Sequence, residues 1–483
     1  MDVHVRLSRR GDLAEQIFRQ LLEAILDGRL RPGERLPATR ELGTRLEVSR
    51  NTVSVAYERL VAEGVVAGRV GAGSFVTTEP LPRLPGPVRR APAGAVHPRE
   101  LWRSLPVLPT SQPPALAYDF GPGTPDCELF PLTAWRRLIA NAFRTSASRY
   151  AGYGHPAGHA GLRAAIARHV GVSRAVRAVA DDVVVTQGAQ QAFDLIGRVL
   201  IADGTCVAVE DPGYSRVRLL FHSLGARVLP VPVDDEGLVV DAIPASARLV
   251  YVTPSHQFPL GTTMSLRRRA ALLAWAERRG AVIVEDDYDS EFRFGGRPLD
   301  PLQSLDRAGR VIYVGSFSKV LLPALRLGFL VAPATLQPAL HAAKQLTDWH
   351  GELATQAALA RFIDEGLLAR HIRVVTREYG RRYARIADVL DRRFSRWLRV
   401  VPAMAGMHLT ATVAPGAAVD IADVVRRAQQ SGVILRRLAD FHLATATTDG
   451  LVLGYGGIPA SRIDDGLARL RAAFTAAAAS PAT

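Results

Sequence analysis

Chemistry that needs a primary amine has two candidates in this chain, because lysine occurs only at Lys319 and Lys344 and the rest of its 60 strongly basic residues are arginine. Lys319 closes Ser316-Phe317-Ser318-Lys319, behind the apolar run Val311-Ile312-Tyr313-Val314-Gly315 and ahead of Arg326. An amine that forms an imine needs a depressed pKa, and a lysine at a strand end among hydroxyls, with an arginine near to bind an anion, meets that need. Lys344, in Ala342-Ala343-Lys344-Gln345, reads as part of an ordinary solvated helix. A second apolar run, Ala281-Val282-Ile283-Val284, leads into Glu285-Asp286-Asp287-Tyr288. This places carboxylates at the carboxyl end of a parallel strand, where open α/β sheets bind ligands. Acids there need a cationic partner: a protonated ring nitrogen would serve, while capping the next helix or binding a metal are the alternatives. A third run, Asp182 to Thr186, enters a helix at Gln187-Gly188-Ala189-Gln190, whose free amides suit a phosphate; alone, such a start as readily just closes a strand-helix turn.

These residues need elements to hold them. Strands alternating with helices over 116–483 predict an α/β domain built on a large parallel sheet, with a small α+β domain at its C-terminal end. Ahead of it, about 79–115 is proline-rich without helical or strand period and reads as a semi-rigid linker. Residues 1–78 then form a separate small domain. In it, Asp12 and Glu15 open an amphipathic helix carrying Ile17, Leu21 and Ile25 that Gly28 closes, and a short helix runs through Arg40-Glu41-Leu42. Ser49 caps a further helix with Val53, Ala56, Tyr57 and Leu60 inward. Two β-prone pieces around Gly71 complete the order helix, turn, helix, wing. A recognition helix presents its first turn to base edges and phosphates, and Ser49, Arg50, Asn51 and Thr52 supply donors there, with Arg35 and Arg40 placed for phosphates. A basic helix start is also what the solvated face of an ordinary bundle offers.

Net charge is +14 over 483 residues, which allows a polyanionic partner and is equally what an arginine-biased genome produces. Cys127 and Cys206 have no clustered ligands, so neither zinc nor a disulfide framework is expected, no metal is assigned, and both read as packing residues. No uncharged apolar stretch reaches the roughly 18 residues of a membrane helix, so a cytoplasmic protein without a membrane partner is expected.

The run Leu36-Pro37-Ala38-Thr39-Arg40-Glu41-Leu42, then Val48-Ser49-Arg50-Asn51-Thr52-Val53, Tyr57, Leu60 and Glu63-Gly64, strongly resembles the GntR family of bacterial repressors. That resemblance implies operator contacts from Arg40, Ser49, Arg50, Asn51, Thr52 and Gly71. The Ser-x-Ser-Lys stretch with Arg326, together with the other strand ends, resembles the fold-type I pyridoxal phosphate enzymes of the aminotransferase class over nearly all of 116–483. It implies that Lys319 holds pyridoxal 5'-phosphate as an internal aldimine, that Asp286 pairs with the pyridine nitrogen and that Tyr288 bonds the phenolic oxygen. Gly188, Ala189, Gln190, Ser316, Ser318 and Arg326 would surround the phosphate, and Tyr214 would stack on the ring. Tyr153 would reach the phosphate of a neighbouring subunit, which implies a head-to-tail homodimer.

Two departures bear on turnover. Phe258 stands where such enzymes carry a cofactor-binding asparagine, with His256 or Gln257 as substitutes, and Val452 stands where they clamp the substrate carboxylate. Arg437 and Arg216, beside Arg436 and Arg218, are the remaining clamp candidates, each reading equally as a surface or structural residue. The two halves together are similar to the MocR subfamily of transcriptional regulators. This implies a regulator of vitamin B6 or amine metabolism that binds double-stranded operator DNA and senses pyridoxal phosphate, an amine or an amino acid through an aldimine at Lys319. A working aminotransferase with a DNA-binding head is the alternative, and a cofactor-free scaffold a third.

Overall fold

The computed structural model describes residues 5–8, 11–69, 72–77, 96–106, 118–146, 152–295, 299–446 and 448–479. The chain divides into two compact units, 1–98 and 99–483.

The smaller unit is built by local rules. Helix α1 (Leu13–Leu26) starts where Asp12 accepts from the backbone N–H groups of Ala14 and Glu15, and α2 (Thr39–Arg45) precedes α3 (Arg50–Ala62). Ser49 Oγ accepts from Thr52 N at 3.0 Å, which satisfies one of the free amides of α3 and fixes its first turn. Ile17, Leu21, Leu42, Val53, Ala56 and Leu60 are fully buried in one cluster. Strands β1 (Val66–Arg69) and β2 (Gly73–Val76) pair antiparallel as the wing. Gly71, the wing residue expected at DNA, lies outside the described residues.

The larger unit begins with α4 (Glu100–Ser104), a short helix within the stretch whose prolines suggest a linker, followed by β3 (Tyr118–Asp119), α5 (Leu132–Ser146) and α6 (Ala160–Arg174). Strands and helices then alternate: β4 (Val183–Thr186), α7 (Ala189–Leu200), β5 (Cys206–Asp211), α8 (Ser215–Ser223), β6 (Arg227–Asp234), β7 (Gly237–Leu238), β8 (Leu249–Val252), α9 (Leu266–Arg279), β9 (Val282–Asp287), α10 (Leu302–Leu305), β10 (Val311–Ser316) and β11 (Gly328–Val331). After α11 (Gln337–Thr347), α12 (Leu353–Asp364) and α13 (Leu367–Phe394) come β12 (Leu398–Val400), β13 (His408–Val413), α14 (Ile421–Gln430), β14 (Val433–Ile434), β15 (Arg436–Arg437), β16 (Gly450–Gly454) and α15 (Ile463–Ala479). The small sheet has the order β12-β13-β16-β15, and β14 pairs with β3.

The large sheet has the order β4-β11-β10-β9-β8-β5-β6-β7. It is mixed rather than wholly parallel, because β11 runs antiparallel to both β10 and β4 and β7 folds back on β6. Strand β10 returns through β11 without a crossover helix, and direction reverses there. The side-chain period of two sorts the central strands. Val209, Tyr251 and Val284 join one cluster and Ala208, Val250 and Ile283 another. No helix among the described residues is long and apolar enough to cross a membrane.

Candidate functional site

Because β9 and β10 are parallel, with Asp286 level with Val314, their carboxyl ends open on one edge of the sheet. The same edge receives the turn from β4 into α7. There lies a cavity of about 230 Å³ whose lining includes Lys319, Asp286, Tyr288, Tyr214, Arg326, Ser316, Ser318, Ala189 and Gln190. The residues singled out at three separate strand ends therefore converge.

Strand parity divides the acids after Val284. Asp286 points to the same face as Val284 and Tyr251, and Tyr251 OH donates to Asp286 Oδ2 at 2.6 Å. Asp286 Oδ1, also buried, has no hydrogen-bond partner among the described residues. Burial pushes this carboxyl up to about 7, against the hydrogen bond from Tyr251. Glu285 and Asp287 face the other way and hold the fold. Glu285 accepts from the backbone N–H groups of Leu302 and Gln303. Asp287 Oδ2 accepts from Arg174 Nε at 2.9 Å and from Tyr313 OH at 2.6 Å. Burial alone would raise the Asp287 pKa, and Arg174 with these hydrogen bonds reverses the sign and holds it below the usual range. Asp287 Oδ1 is likewise without a partner among the described residues, but of the three acids Asp286 alone lines the cavity.

Lys319 Nζ donates to the Gly123 carbonyl at 2.7 Å. Gly123 has φ +86, which favours glycine, and a Cβ built there would lie 2.8 Å from Lys319 Nζ, so a side chain would displace the amine from this position. Burial pulls the Lys319 pKa below the ordinary lysine value; Asp289 and Asp286 oppose this, and Arg216 and Arg326 reinforce it.

At the start of α7, Gly188 has φ +78 and faces Arg326: a Cβ there would lie 2.9 Å from Arg326 Nη2. Arg326 itself takes a left-handed φ of 49 and donates to the Gln187 carbonyl at 2.6 Å. Gly328, two residues on at the start of β11, allows the α7 amides to approach, since a Cβ would meet Gly188 Cα at 2.8 Å. Ser316 Oγ accepts from Ser318 N at 3.1 Å. Free helix amides, a guanidinium and two hydroxyls around glycine backbone make a cradle for an anion.

Tyr214 lines the cavity, its ring 6.0 Å from Phe258 in an edge contact. Tyr288 OH lies 3.1 Å from His256 Nδ1, which also contacts Asp289 at 3.0 Å. Neither expected substitute for the asparagine lines the cavity. His256 is tied to Asp289 behind Tyr288, and Gln257 Nε2 donates to the carbonyls of Pro212 and Phe258. His256, Asp289 and His408 have ligand atoms within 4.8 Å of one another, yet each is engaged inside the protein, His408 Nε2 with the Pro259 carbonyl.

The clamp candidates fall outside the lining. Arg437 is ion-paired with Asp449 at 3.0 Å, Arg218 donates to the Phe441 carbonyl at 2.8 Å, and Arg216 is exposed at the start of α8. Tyr153 is 82% exposed and stacks on Trp349 with ring centroids 4.7 Å apart. In the smaller unit Arg35, Arg40, Ser49, Arg50 and Asn51 are exposed and Thr52 is half-buried under the Ser49 cap.

Two expectations are corrected. Lys344 is not solvated: its side chain is fully buried and ion-paired with Asp348, because it follows Leu340 by one turn on the face of α11 that packs against α7. Cys127 is exposed, whereas Cys206 packs at the start of β5. Tyr251, Gly123, Arg174, Tyr313 and His408 belong to the site or its supports and were not singled out in the sequence. Their partners lie far along the chain, and the one local hint was a tyrosine or histidine in an otherwise aliphatic strand.

Residues 13–76 match the bacterial regulatory proteins of the gntR family, and residues 119–452 match aminotransferase class I and II. The chain is 38% identical to the probable rhizopine catabolism regulatory protein MocR of Rhizobium meliloti over 475 residues, 97% of this chain and 96% of that one. It is 33% identical to the pyridoxine biosynthesis transcriptional regulator PdxR of Corynebacterium glutamicum, over 91% of each chain. Among solved structures it resembles the α-aminoadipate aminotransferase LysN of Thermus thermophilus, in complex with N-(5'-phosphopyridoxyl)-L-leucine. The identity is 31% and the TM-score 0.69, over 75% of this chain and 93% of that one. The chain thus belongs to the MocR-type transcriptional regulators of the GntR family, which join a DNA-binding winged helix to a pyridoxal-phosphate-dependent domain of the aminotransferase class I and II fold.

Proposed function

We propose that this regulator holds pyridoxal phosphate at Lys319 and changes its hold on operator DNA when pyridoxal phosphate itself or a primary amine arrives in the cavity. The observation that carries the reading is the pairing, in one cavity, of a desolvated amine at Lys319 with a buried carboxylate oxygen, Asp286 Oδ1, that lacks a partner among the described residues. The residues fit the cofactor. Asp286 would face the ring nitrogen, Tyr288 the phenolic oxygen and Tyr214 the ring. Gly188, Ala189, Gln190, Ser316, Ser318 and Arg326 would hold the phosphate, and Tyr153 would cross to a second copy in a homodimer. When bound, pyridoxal phosphate supplies an aldehyde carbon that exchanges reversibly between primary amines. The chain's own residues do the rest: Lys319 offers an amine that burial makes easier to deprotonate, Asp286 would keep a proton on the ring nitrogen, and the aromatic wall limits water.

Sustained transamination of amino acids would need a carboxylate clamp. Among the described residues Arg326 is the sole arginine lining the cavity, and it belongs to the anion cradle. This favours a sensor over a working aminotransferase. An effector shifts DNA binding only by its difference in affinity for two states of the protein. Residues 1–78 would be the DNA-binding domain, 79–115 the linker that transmits the change and 116–483 the effector and dimerisation domain.

The test uses the full chain and a duplex it selects from a random pool. Operator affinity is expected to differ between protein with pyridoxal phosphate, protein with an added amine and protein with neither; equal affinities in all three would end the sensing proposal. Arg50→Ala is expected to weaken operator binding by roughly ten- to a hundredfold, the usual worth of one base-reading arginine. Wild-type affinity in that variant at two salt concentrations would show that α3 is not the reading helix.

A further inference from the structure

Lys344 is absent from the cavity lining and has no exposed surface, although an ammonium taken out of water is costly unless it is paired. Its Nζ donates to Asp348 Oδ1, one turn further along the chain. Asp348 Oδ2 accepts from Gln191 Nε2 at 2.7 Å and from Gln187 Nε2 at 3.4 Å. Gln191 Oε1 accepts from the backbone N–H of Gln187 at 2.8 Å, and the Gln187 carbonyl accepts from Arg326 Nη2 at 2.6 Å. An unbroken series of hydrogen bonds therefore runs from the end of α11, across the first turn of α7, to the guanidinium that faces Gly188.

Arginine on an exposed, left-handed turn has many rotamers, and only a fixed acceptor selects one. That acceptor is the carbonyl of Gln187, a residue held on its N-terminal side by the bond from its own N–H to Gln191 Oε1. Both glutamines take their direction from Asp348, and Asp348 takes its own from the buried lysine. We propose that Lys344 and Asp348 are positioning residues that set the anion cradle of Arg326 and the α7 amides for the phosphate of the cofactor. The proposal rests on the reading that this cradle holds that phosphate. A purely structural role for the pair would stabilise α11 without regard to which ligand occupies the cavity.

Pyridoxal separates the two roles, since it carries the same ring and aldehyde as pyridoxal 5'-phosphate without the phosphate. Absorption titrations of the full chain with each ligand would be compared for wild type, Lys344→Met, Asp348→Asn and Gln191→Leu. Gln191 is half-buried on α7, so its variant tests the series even where Lys344→Met folds poorly. The expected result is a roughly tenfold loss of affinity for pyridoxal 5'-phosphate, as for the loss of one hydrogen bond to a charged group, with pyridoxal affinity within about twofold of wild type. Equal losses for both ligands, or no loss for either, would overturn the proposal. Arg326→Gln tells the two failures apart. If it abolishes the preference for the phosphorylated ligand while the three variants keep it, the cradle stands and the positioning role falls. If wild type shows no preference at all, the cradle reading is wrong and the proposal falls with it.

Discussion

Lys319→Ala is expected to abolish covalent retention of pyridoxal phosphate: the visible band of the wild-type complex disappears, and borohydride reduction leaves no protein-bound adduct by mass. Three features make the loss complete. The amine of Lys319 is the only lysine amine on the cavity, because Lys344 is buried against Asp348 outside it. Its lowered pKa, set first by burial, makes the neutral, nucleophilic form easier to reach than in an exposed lysine. Its position is fixed by Gly123, whose carbonyl accepts from Nζ and whose missing Cβ makes the approach feasible. Non-covalent pyridoxal phosphate should still bind, since Arg326, Asp286 and Tyr288 are untouched, and operator binding should survive in part because the smaller unit has its own core. A borohydride-stable adduct in Lys319→Ala would reassign the attachment site.

The sequence was informative where a rule is local or where the sheet imposes it. Ser49 reads as a cap because its acceptor and the Thr52 amide are three residues apart, and the structure has that bond. Lys319, Asp286 and the Gly188 turn were legible because strand ends in an α/β sheet share an edge. Period-two parity even tells which acid of Glu285, Asp286 and Asp287 faces Tyr251, although the choice of face comes only from the packing. Long-range pairing was not legible. Arg174 and Asp287 lie 113 residues apart, and nothing near either names the other. Lys344 misled for a physical reason: Ala342 and Gln345 beside it are exposed and Ala343 is half-buried, and only the spacing Gln337, Leu340, Lys344 marks the buried face. The reversed strand β11 follows from its short hairpin-like return, which apolar content alone does not reveal.

Arg174→Met is expected to cost about 3–5 kcal/mol of stability at neutral pH, the usual consequence of breaking a buried ion pair by removing one partner. Arg174 and Asp287 are 7% and 4% exposed, and the arginine also donates to Ser255 Oγ at 2.7 Å. Methionine fills a similar volume, so the change removes charge more than packing and leaves Asp287 as an ionised carboxylate in a desolvated site, beside Glu291, whose own pKa burial already pushes to about 8. The pH dependence identifies the cause. In the wild type the Asp287 pKa is depressed, so its contribution is complete above the ordinary carboxylate range and is lost as pH falls through the lowered value. In the variant, burial acts on Asp287 without its partner, its pKa rises, and the folded state takes up a proton that the unfolded chain does not bind. The deficit between variant and wild type should therefore shrink as pH falls from about 7.5 towards about 5. Urea midpoints measured across that range decide the matter: a deficit that stays constant with pH would mean that lost packing, not the stranded carboxylate, destabilises the variant.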